Sequence, residues 1–278
     1  MWTEKDKIIK NIKANHEKYG SEKGRLFRKD CKNIPCAGLL ETGKILKDSH
    51  TVTAAVNGEY FIKRYNTKNF WKKLKRLLQF PRSFLSFAAA VKLAENNIPT
   101  PEALYADRFF LVNSLLPENF LYPVLFTKPE KILYFAIVLA RMHNTGIYHG
   151  DLSLRNIYLT KEGRFGVIDL DGACLYKKAV PENMRTGDIA RFVSSYCLLA
   201  QKDNDVETSM EKFLFLYEKT AGTVIPRNKL ASKIAVLMKK TDMKWLKVYL
   251  AENGNTIPDV AEAEKMLSSL PEIREENL

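Results

Sequence analysis

Three oxygen-bearing side chains occur in an order and spacing that suit phosphoryl transfer. Asp151 and Asn156 lie five positions apart on a predicted loop, and Asp169 follows thirteen residues after Asn156, at the end of an apolar strand pattern. Mg²⁺ is a hard cation that takes oxygen ligands and bridges phosphate oxygens, and a separate carboxylate must orient the attacking hydroxyl and accept its proton. The pattern therefore predicts that Asn156 and Asp169 bind Mg²⁺ while Asp151 faces the acceptor.

Neighbouring polar side chains admit structural explanations as well. Asp171 lies two positions after Asp169, where its carboxylate suits either a second contact to the metal or a hydrogen bond within the loop, and the sequence leaves both open. His149 is interpreted as a support of the loop rather than as a proton carrier. Asp188, on a predicted helix, is interpreted as an anchor for the loop backbone.

At these residues the chain resembles the protein-kinase-like superfamily. His149-Gly150-Asp151 with Asn156 is similar to the catalytic loop of these enzymes, and Asp169 is similar to the metal-binding Asp that follows that loop. Further segments resemble the lipopolysaccharide core kinases, the heptose and Kdo kinase family: Phe61-Ile62-Lys63-Arg64-Tyr65, Ile98-Pro99-Thr100-Pro101 and Gly187-Asp188-Ile189-Ala190-Arg191-Phe192. The resemblance covers about residues 38–195 and implies an α+β, two-lobed fold with a small β-rich N-lobe and a mainly helical C-lobe.

The resemblance also implies how ATP is bound. Lys63 matches the strand lysine that contacts the α- and β-phosphates. The glycine-rich loop that usually covers the phosphates is missing, and the candidate in its place is residues 47–51, which would use backbone N–H groups and Ser49. The helix Glu that usually pairs with this lysine is not evident, because no acid occurs between Lys63 and Glu95. Glu95, near a helix end, is therefore the predicted partner of Lys63.

The elements that must position these residues follow from patterns along the chain. Strand patterns fill residues 38–65, and Asn57-Gly58 predicts a hairpin with a type I′ turn. The remaining predicted elements are helices at 66–80, 83–96 and 129–144, strands at 103–106 and 109–112, a loop with short strands at 147–171, and helices after 186. We therefore assign an N-terminal helical extension to residues 1–37, the N-lobe to 38–116 and the C-lobe to 117–278.

Several features favour a sugar, a lipid or a small alcohol as the acceptor. The segment from Asp169 to Asp188 is short and lacks an Ala-Pro-Glu-like motif, Ser153 stands where protein kinases usually carry a phosphate-contacting lysine, and His-Gly-Asp is the small-molecule form of the motif. The leading hypothesis is an ATP-dependent phosphotransferase, using Mg²⁺, that phosphorylates a sugar hydroxyl of the lipopolysaccharide inner core. The alternatives are a minimal atypical Ser/Thr protein kinase and a nucleotide-binding pseudokinase without turnover.

Charge and hydropathy indicate which partners and which cellular compartment to expect. The net charge of +12, from 44 Lys and Arg against 32 Asp and Glu, favours anionic partners. Residues 68–78 form a predicted basic helix with one apolar face, which suits either an anionic membrane surface or packing within the lobe, and no recognised nucleic-acid motif is present. The longest apolar run, Ile132–Ala140, is too short for a membrane span of about 20 residues, and the N-terminal residues lack an apolar signal core. We therefore expect a cytoplasmic enzyme, peripheral on the inner face of the inner membrane if residues 68–78 bind it.

Overall fold

The computed structural model of the protein describes residues 18–22, 24–66, 81–116, 129–160, 164–199 and 206–240. These residues fall into two compact units, which we call the sheet unit and the helical unit. The sheet unit comprises Met1–Phe120 and Val167–Leu175, and the helical unit comprises Leu121–Gly166 and Tyr176–Leu278. The first seventeen residues and the predicted basic helix at 68–78 lie outside the described residues.

A seven-stranded antiparallel sheet dominates the sheet unit, with the strand order β1-β2-β6-β7-β5-β4-β3. Its strands are β1 Tyr19–Glu22, β2 Arg25–Arg28, β3 Lys44–Asp48, β4 Val52–Asn57, β5 Tyr60–Tyr65, β6 Ala103–Ala106 and β7 Phe110–Ser114. Alternate side chains of a strand point to the same face of the sheet. On one face, Ala55 of β4 and its cross-strand partner Ile62 of β5 pack with Phe27 and Val112 in a buried cluster. The strand that carries Lys63, β5, lies between β4 and β7 and is therefore held on both sides.

Among its described residues, the sheet unit has two α-helices, α1 Cys36–Thr42 and α2 Arg82–Glu95. The extended backbone of Pro81 precedes α2, whose first residue is Arg82. Three consecutive buried alanines, Ala88 to Ala90, let α2 approach β6 and β7 closely because they add little side-chain volume. The adjacent Phe87 packs edge-on against Tyr19 at 5.6 Å between ring centroids.

The sheet unit differs from the sequence prediction at its start. Residues 19–28, predicted to lie in a helical extension, form the sheet strands β1 and β2. The predicted strand pattern from Gly38 begins as helix α1, because Cys36 and Leu40, four positions apart, both become buried on one helix face. Val167–Leu175 also belongs to this unit, whereas the predicted boundary placed it in the C-lobe.

The hairpin between β4 and β5 is confirmed, with a different turn. Asn57 pairs with Tyr60, so Gly58 and Glu59 are the central turn residues. Gly58 has a φ of 57°, and Glu59 is not among the described residues with positive φ. A type I′ turn needs positive φ at both positions, and a type II′ turn needs it at the first alone. The backbone therefore follows the type II′ pattern, which the glycine at the first position permits.

Four helices form most of the described helical unit: α3 Pro129–Asn144, α4 Glu182–Leu199, α5 Val206–Ala221 and α6 Arg227–Lys240. The short strands β8 Ile147–Tyr148, β9 Ile157–Leu159 and β10 Phe165–Val167 follow α3 in the chain, and β11 Cys174–Leu175 lies in the segment of the sheet unit. Helix α3 packs against α5, and α4 packs against α6. Phe192 stacks at 4.6 Å from Phe213 and lies 5.1 Å from Phe135, between ring centroids, in the core. Within the described ranges, no helix combines the length and the apolar character that crossing a membrane requires.

Candidate active site

The segment 149–156, which we call the catalytic loop, lies between β8 and β9 and is anchored through its backbone. The buried carboxylate of Asp188 on α4 accepts hydrogen bonds from the backbone N–H groups of His149 at 2.8 Å and Gly150 at 2.9 Å. Gly150 has a φ of 80°, a left-handed conformation that favours glycine and turns both N–H groups of this stretch toward one acceptor. The predicted anchoring role of Asp188 is therefore confirmed.

A chain of buried side chains holds Asp188 in turn. His143 Nε2 lies 3.3 Å from Asp188 Oδ2, and His143 Nδ1 lies 2.7 Å from the hydroxyl of Tyr217. Burial keeps the pKa of His143 below its ordinary value although Asp188 favours the charged form, so the imidazole is neutral. A neutral ring that donates from Nε2 must accept at Nδ1, so the Tyr217 hydroxyl is the donor to Nδ1. Arg185 reaches the same hydroxyl at 3.4 Å and completes the network.

The second half of the catalytic loop is held by its own polar groups. Asn156 Nδ2 donates to the backbone carbonyl of Asp151 at 2.7 Å, and the backbone N–H of Leu154 donates to Ser195 Oγ at 3.0 Å. Because the Asn156 amide nitrogen is turned toward the loop, its Oδ1 is the atom left to accept a hydrogen bond or to bind a cation. His149, fully buried, accepts the backbone N–H of Asp151 at Nδ1 over 3.3 Å, which confirms its supporting role.

Asp151 differs from the residues that hold the loop, because its side chain reaches the surface. About half of this side chain, 48%, is exposed, and Arg155 Nη2 lies 3.3 Å from Asp151 Oδ2. A carboxylate in this setting can accept a hydrogen bond from a hydroxyl group arriving from solvent. The geometry thus suits the role of general base that the sequence assigns to Asp151.

The sheet unit contains a second group of polar residues, which we call the lysine cluster: Lys63, Tyr65, Ser86, Asp169 and Asp171. Lys63 Nζ donates to Asp169 Oδ1 at 2.8 Å and to Asp171 Oδ2 at 2.9 Å. Burial lowers the pKa of the Lys63 ammonium, but the carboxylates of Asp171 and Asp169 outweigh burial and leave that pKa above its ordinary value. Lys63 is therefore a fixed positive charge, buried in the sheet unit and directed by two carboxylates.

Asp171 is hydrogen-bonded through both carboxylate oxygens. In addition to the hydrogen bond from Lys63, Asp171 accepts one from the Tyr65 hydroxyl at 2.7 Å, and Ser86 Oγ lies 3.3 Å from Asp171 Oδ1. Burial and the Asp171 carboxylate raise the pKa of Tyr65, so the phenol keeps its proton and remains a donor. Asp171 thus has the hydrogen-bonding role that the sequence allows, and its contact to a metal ion stays a prediction.

Asp169 occupies an unusual backbone conformation. Its φ of 57° and ψ of 62° place it in the left-handed region, which Asp tolerates better than most side chains other than Gly. The chain is fixed on both sides of it, since Val167 N donates to the Pro99 carbonyl at 3.0 Å and Ser86 Oγ donates to the Leu170 carbonyl at 3.2 Å. Its side chain remains 42% exposed, which leaves carboxylate oxygen accessible beside Lys63.

Two predicted ATP-binding residues have other surroundings. Glu95 is not the partner of Lys63, because among the described residues the carboxylates that reach Lys63 are Asp169 and Asp171. Ser86 is the α2 residue beside Asp171, and Glu95 lies nine residues further, about 13 Å along the helix axis. Ser49 lies in the predicted loop between β3 and β4, where its hydroxyl donates to the Val52 carbonyl at 2.8 Å and accepts the Val52 N–H at 3.1 Å.

Sequence reasoning missed Tyr65, Ser86 and the pair His143 and Tyr217. Tyr65 follows Lys63 by two positions on β5, and strand periodicity places both on one face, so this residue could have been found. Ser86 and Tyr217 reach their partners across many residues of sequence and carry no local signal. Among the described residues, no cluster of three or more His, Cys, Asp or Glu side chains could hold a metal ion.

An exposed carboxylate on a backbone-anchored loop and a buried lysine between carboxylates are parts that phosphotransferases use. Residues 128–217 match the family model "Lipopolysaccharide kinase (Kdo/WaaP) family". This match includes the catalytic loop, Asp169 and Asp188, and it identifies the chain as a kinase. The predicted resemblance to the lipopolysaccharide core kinases is confirmed over these residues.

One solved structure supports the protein-kinase-like fold. The chain is similar to the structure "WaaP in complex with acyl carrier protein", with 18% sequence identity, a TM-score of 0.50, and coverage of 84% of this chain and 92% of that chain. This similarity confirms the predicted α+β, protein-kinase-like fold. Other similar structures are a choline/ethanolamine kinase family protein from Mesorhizobium loti (12% identity, TM-score 0.46, 89% of this chain and 94% of that chain) and choline kinase LicA from Streptococcus pneumoniae (17%, 0.42, 87% and 100%). No curated protein sequence matches the chain.

Proposed function

We propose that the chain transfers the γ-phosphoryl group of ATP to a sugar hydroxyl of the lipopolysaccharide inner core. The observation that carries this proposal is the anchored catalytic loop with its exposed Asp151, which lies inside the segment 128–217 that matches the lipopolysaccharide kinase family model. In the proposed reaction, Asp151 orients the sugar hydroxyl and accepts its proton as the oxygen attacks the γ-phosphorus.

The other predicted residues divide between phosphate binding and metal binding. Lys63 holds the α- and β-phosphates, and Asp171 with Tyr65 directs the ammonium group. The predicted loop of residues 47–51 completes the phosphate site, and the Ser49 hydroxyl exchanges the Val52 carbonyl for a phosphate oxygen when ATP binds. Asn156 Oδ1 and the exposed carboxylate of Asp169 are oxygen donors of the kind that Mg²⁺ prefers, so they fit the ion. When bound, Mg²⁺ neutralises charge on the phosphate oxygens.

A labelling experiment tests the proposal. Purified protein is incubated with γ-labelled Mg-ATP and extracted core glycolipid, and we expect label in the glycolipid. Asp151→Asn keeps the shape of the side chain but removes the base, so kcat should fall by about 10²–10⁴-fold. Asp30→Asn, which changes a carboxylate 64% exposed in the sheet unit, is the matched control and should label normally.

The outcomes separate the alternatives. Equal labelling by Asp151→Asn would reject the role of Asp151. Label in protein fractions but not in glycolipid would favour a minimal Ser/Thr protein kinase. ATP binding, seen as a thermal shift, without any transfer or hydrolysis would favour a pseudokinase.

A further inference from the structure

Arg155 occupies a fixed place in the catalytic loop with a side chain that reaches solvent. Its neighbours Leu154 and Asn156 are buried, with exposed fractions of 1% and 3%, and both are tied down by hydrogen bonds of the loop. The Arg155 side chain itself is 45% exposed. The loop thus presents a guanidinium group from a rigid backbone, one residue before the predicted metal ligand Asn156.

The contact between Arg155 and Asp151 is weak enough for another anion to take the place of the Asp151 carboxylate. Its Nη2 lies 3.3 Å from Asp151 Oδ2, longer than the roughly 2.7–2.9 Å of a strong charge-assisted hydrogen bond. Both side chains are about half exposed, and ion pairs in that setting contribute little to stability. An incoming anion can therefore compete with Asp151 for the guanidinium group.

We propose that Arg155 binds an anionic group, a carboxylate or a phosphate, that the acceptor carries beside the hydroxyl activated by Asp151. This inference rests on the proposed function and adds a requirement to its acceptor. The planar guanidinium matches both kinds of anion through paired N–H donors. The net charge of +12 favours an anionic acceptor in the same direction.

The observed contact limits where the anion lies on the acceptor. Arg155 Nη2 lies 3.3 Å from Asp151 Oδ2, which leaves Oδ1 for the reacting hydroxyl. With hydrogen bonds of about 2.8 Å at the hydroxyl and at the anion, and about 2.2 Å between the carboxylate oxygens, the two acceptor oxygens are at most about 11 Å apart. That distance corresponds to the same sugar ring or to its neighbour. A neutral sugar offers nothing to Arg155, which then stays on Asp151 and occupies one oxygen of the base.

Steady-state kinetics with three forms of one acceptor test the inference. The extracted core glycolipid is used untreated, with its carboxylates methyl-esterified, and with its phosphates removed. Arg155→Met should raise KM for the untreated form by about 10–100-fold, as expected for a hydrogen bond to a charged group, and leave KM for ATP unchanged. The treatment that removes the recognised anion should raise the KM of the unmodified protein to that of the variant and leave the variant unaffected. That treatment identifies whether the anion is a carboxylate or a phosphate.

Two further variants separate binding from effects on the base. Arg155→Lys keeps the positive charge but loses the paired N–H donors of the planar guanidinium, so it should give an intermediate KM. Arg141→Met, at an exposed arginine on α3, is the matched control and should behave like the unmodified protein. Circular dichroism checks that each variant is folded.

The inference is overturned if Arg155→Met lowers kcat equally on all three forms with KM unchanged, because Arg155 then acts on Asp151 alone. It is also overturned if the variant matches the unmodified protein on the untreated glycolipid. If the unmodified protein phosphorylates none of the three forms, the proposed function fails and the inference fails with it. Transfer by the unmodified protein is thus the result that separates the two failures.

Discussion

The catalytic loop and the lysine cluster are held in different ways. The loop is fixed through backbone N–H groups that donate to Asp188, a residue with no assigned part in the reaction. In the lysine cluster, Lys63 is held by Asp169, and both are side chains to which the proposal assigns phosphate or metal. The loop is therefore organised before any ligand binds, whereas in the proposed function the lysine cluster exchanges partners when ATP and Mg²⁺ bind. Mutations of the loop anchor should therefore lower the free energy of unfolding most, whereas mutations in the lysine cluster should lower activity most.

The largest loss of stability is expected for Asp188→Asn. Three buried donors reach the Asp188 carboxylate, from His149, Gly150 and His143, and the amide offers one acceptor oxygen and a clashing NH₂ group. Unsatisfied buried groups cost about 1–3 kcal/mol each, so the free energy of unfolding should fall by about 2–4 kcal/mol in urea titrations. The displaced loop should also lower kcat by about 10²-fold. Unchanged stability would show that the loop is not anchored at Asp188.

Lys63→Met should lower activity strongly and stability less than Asp188→Asn does. Removing the ammonium group from the phosphates should lower kcat/KM for ATP by about 10²–10³-fold. The free energy of unfolding should fall less than in Asp188→Asn, because the side chains of Asp169 and Asp171 are 42% and 22% exposed and regain water. Arg64→Met, at the exposed neighbouring residue, is the matched control in both measurements. A stability loss as large as that of Asp188→Asn would remove the distinction between the two regions.

The smallest effect concerns the pH dependence that His143 gives to the helical unit. Burial lowers the pKa of His143 in the folded state, so below about pH 6.5 the unfolded chain binds a proton that the folded chain does not. Stability should therefore fall as the pH is lowered through this range. His143→Gln should flatten that fall by at most about 1.4 kcal/mol per pH unit, measured by denaturation at several pH values. An equal slope in the variant would mean that His143 is charged in the folded protein.

The sequence predicted the catalytic loop better than the lysine cluster, because the residues of the loop lie close together in the chain. Asp151, Asn156 and His149 share one short segment, so their order and spacing express the loop directly. The anchor Asp188 was recognisable because it also belongs to a segment with a characteristic order of residues. All of these residues except Asp188 lie within eight positions of chain.

The lysine cluster depends on contacts between distant parts of the chain. Lys63 reaches Asp169 and Asp171 across more than a hundred residues, and Ser86 joins them from α2. The sequence showed that the usual helix Glu beside Lys63 is missing, but it could not show that Asp171 provides the carboxylate. Glu95 was therefore predicted wrongly as the partner of Lys63. The start of the sheet was missed for the same reason, because β2 pairs with the distant β6.

The central claim is that Asp151 activates a sugar hydroxyl of the lipopolysaccharide inner core for phosphorylation by ATP. The most direct measurement is mass spectrometry of core glycolipid after incubation with Mg-ATP and either the unmodified protein or Asp151→Asn. We expect the unmodified protein to add the mass of one phosphate to the sugar portion and the variant to add almost none. No gain of phosphate with the unmodified protein, or an equal gain with the variant, would contradict the claim.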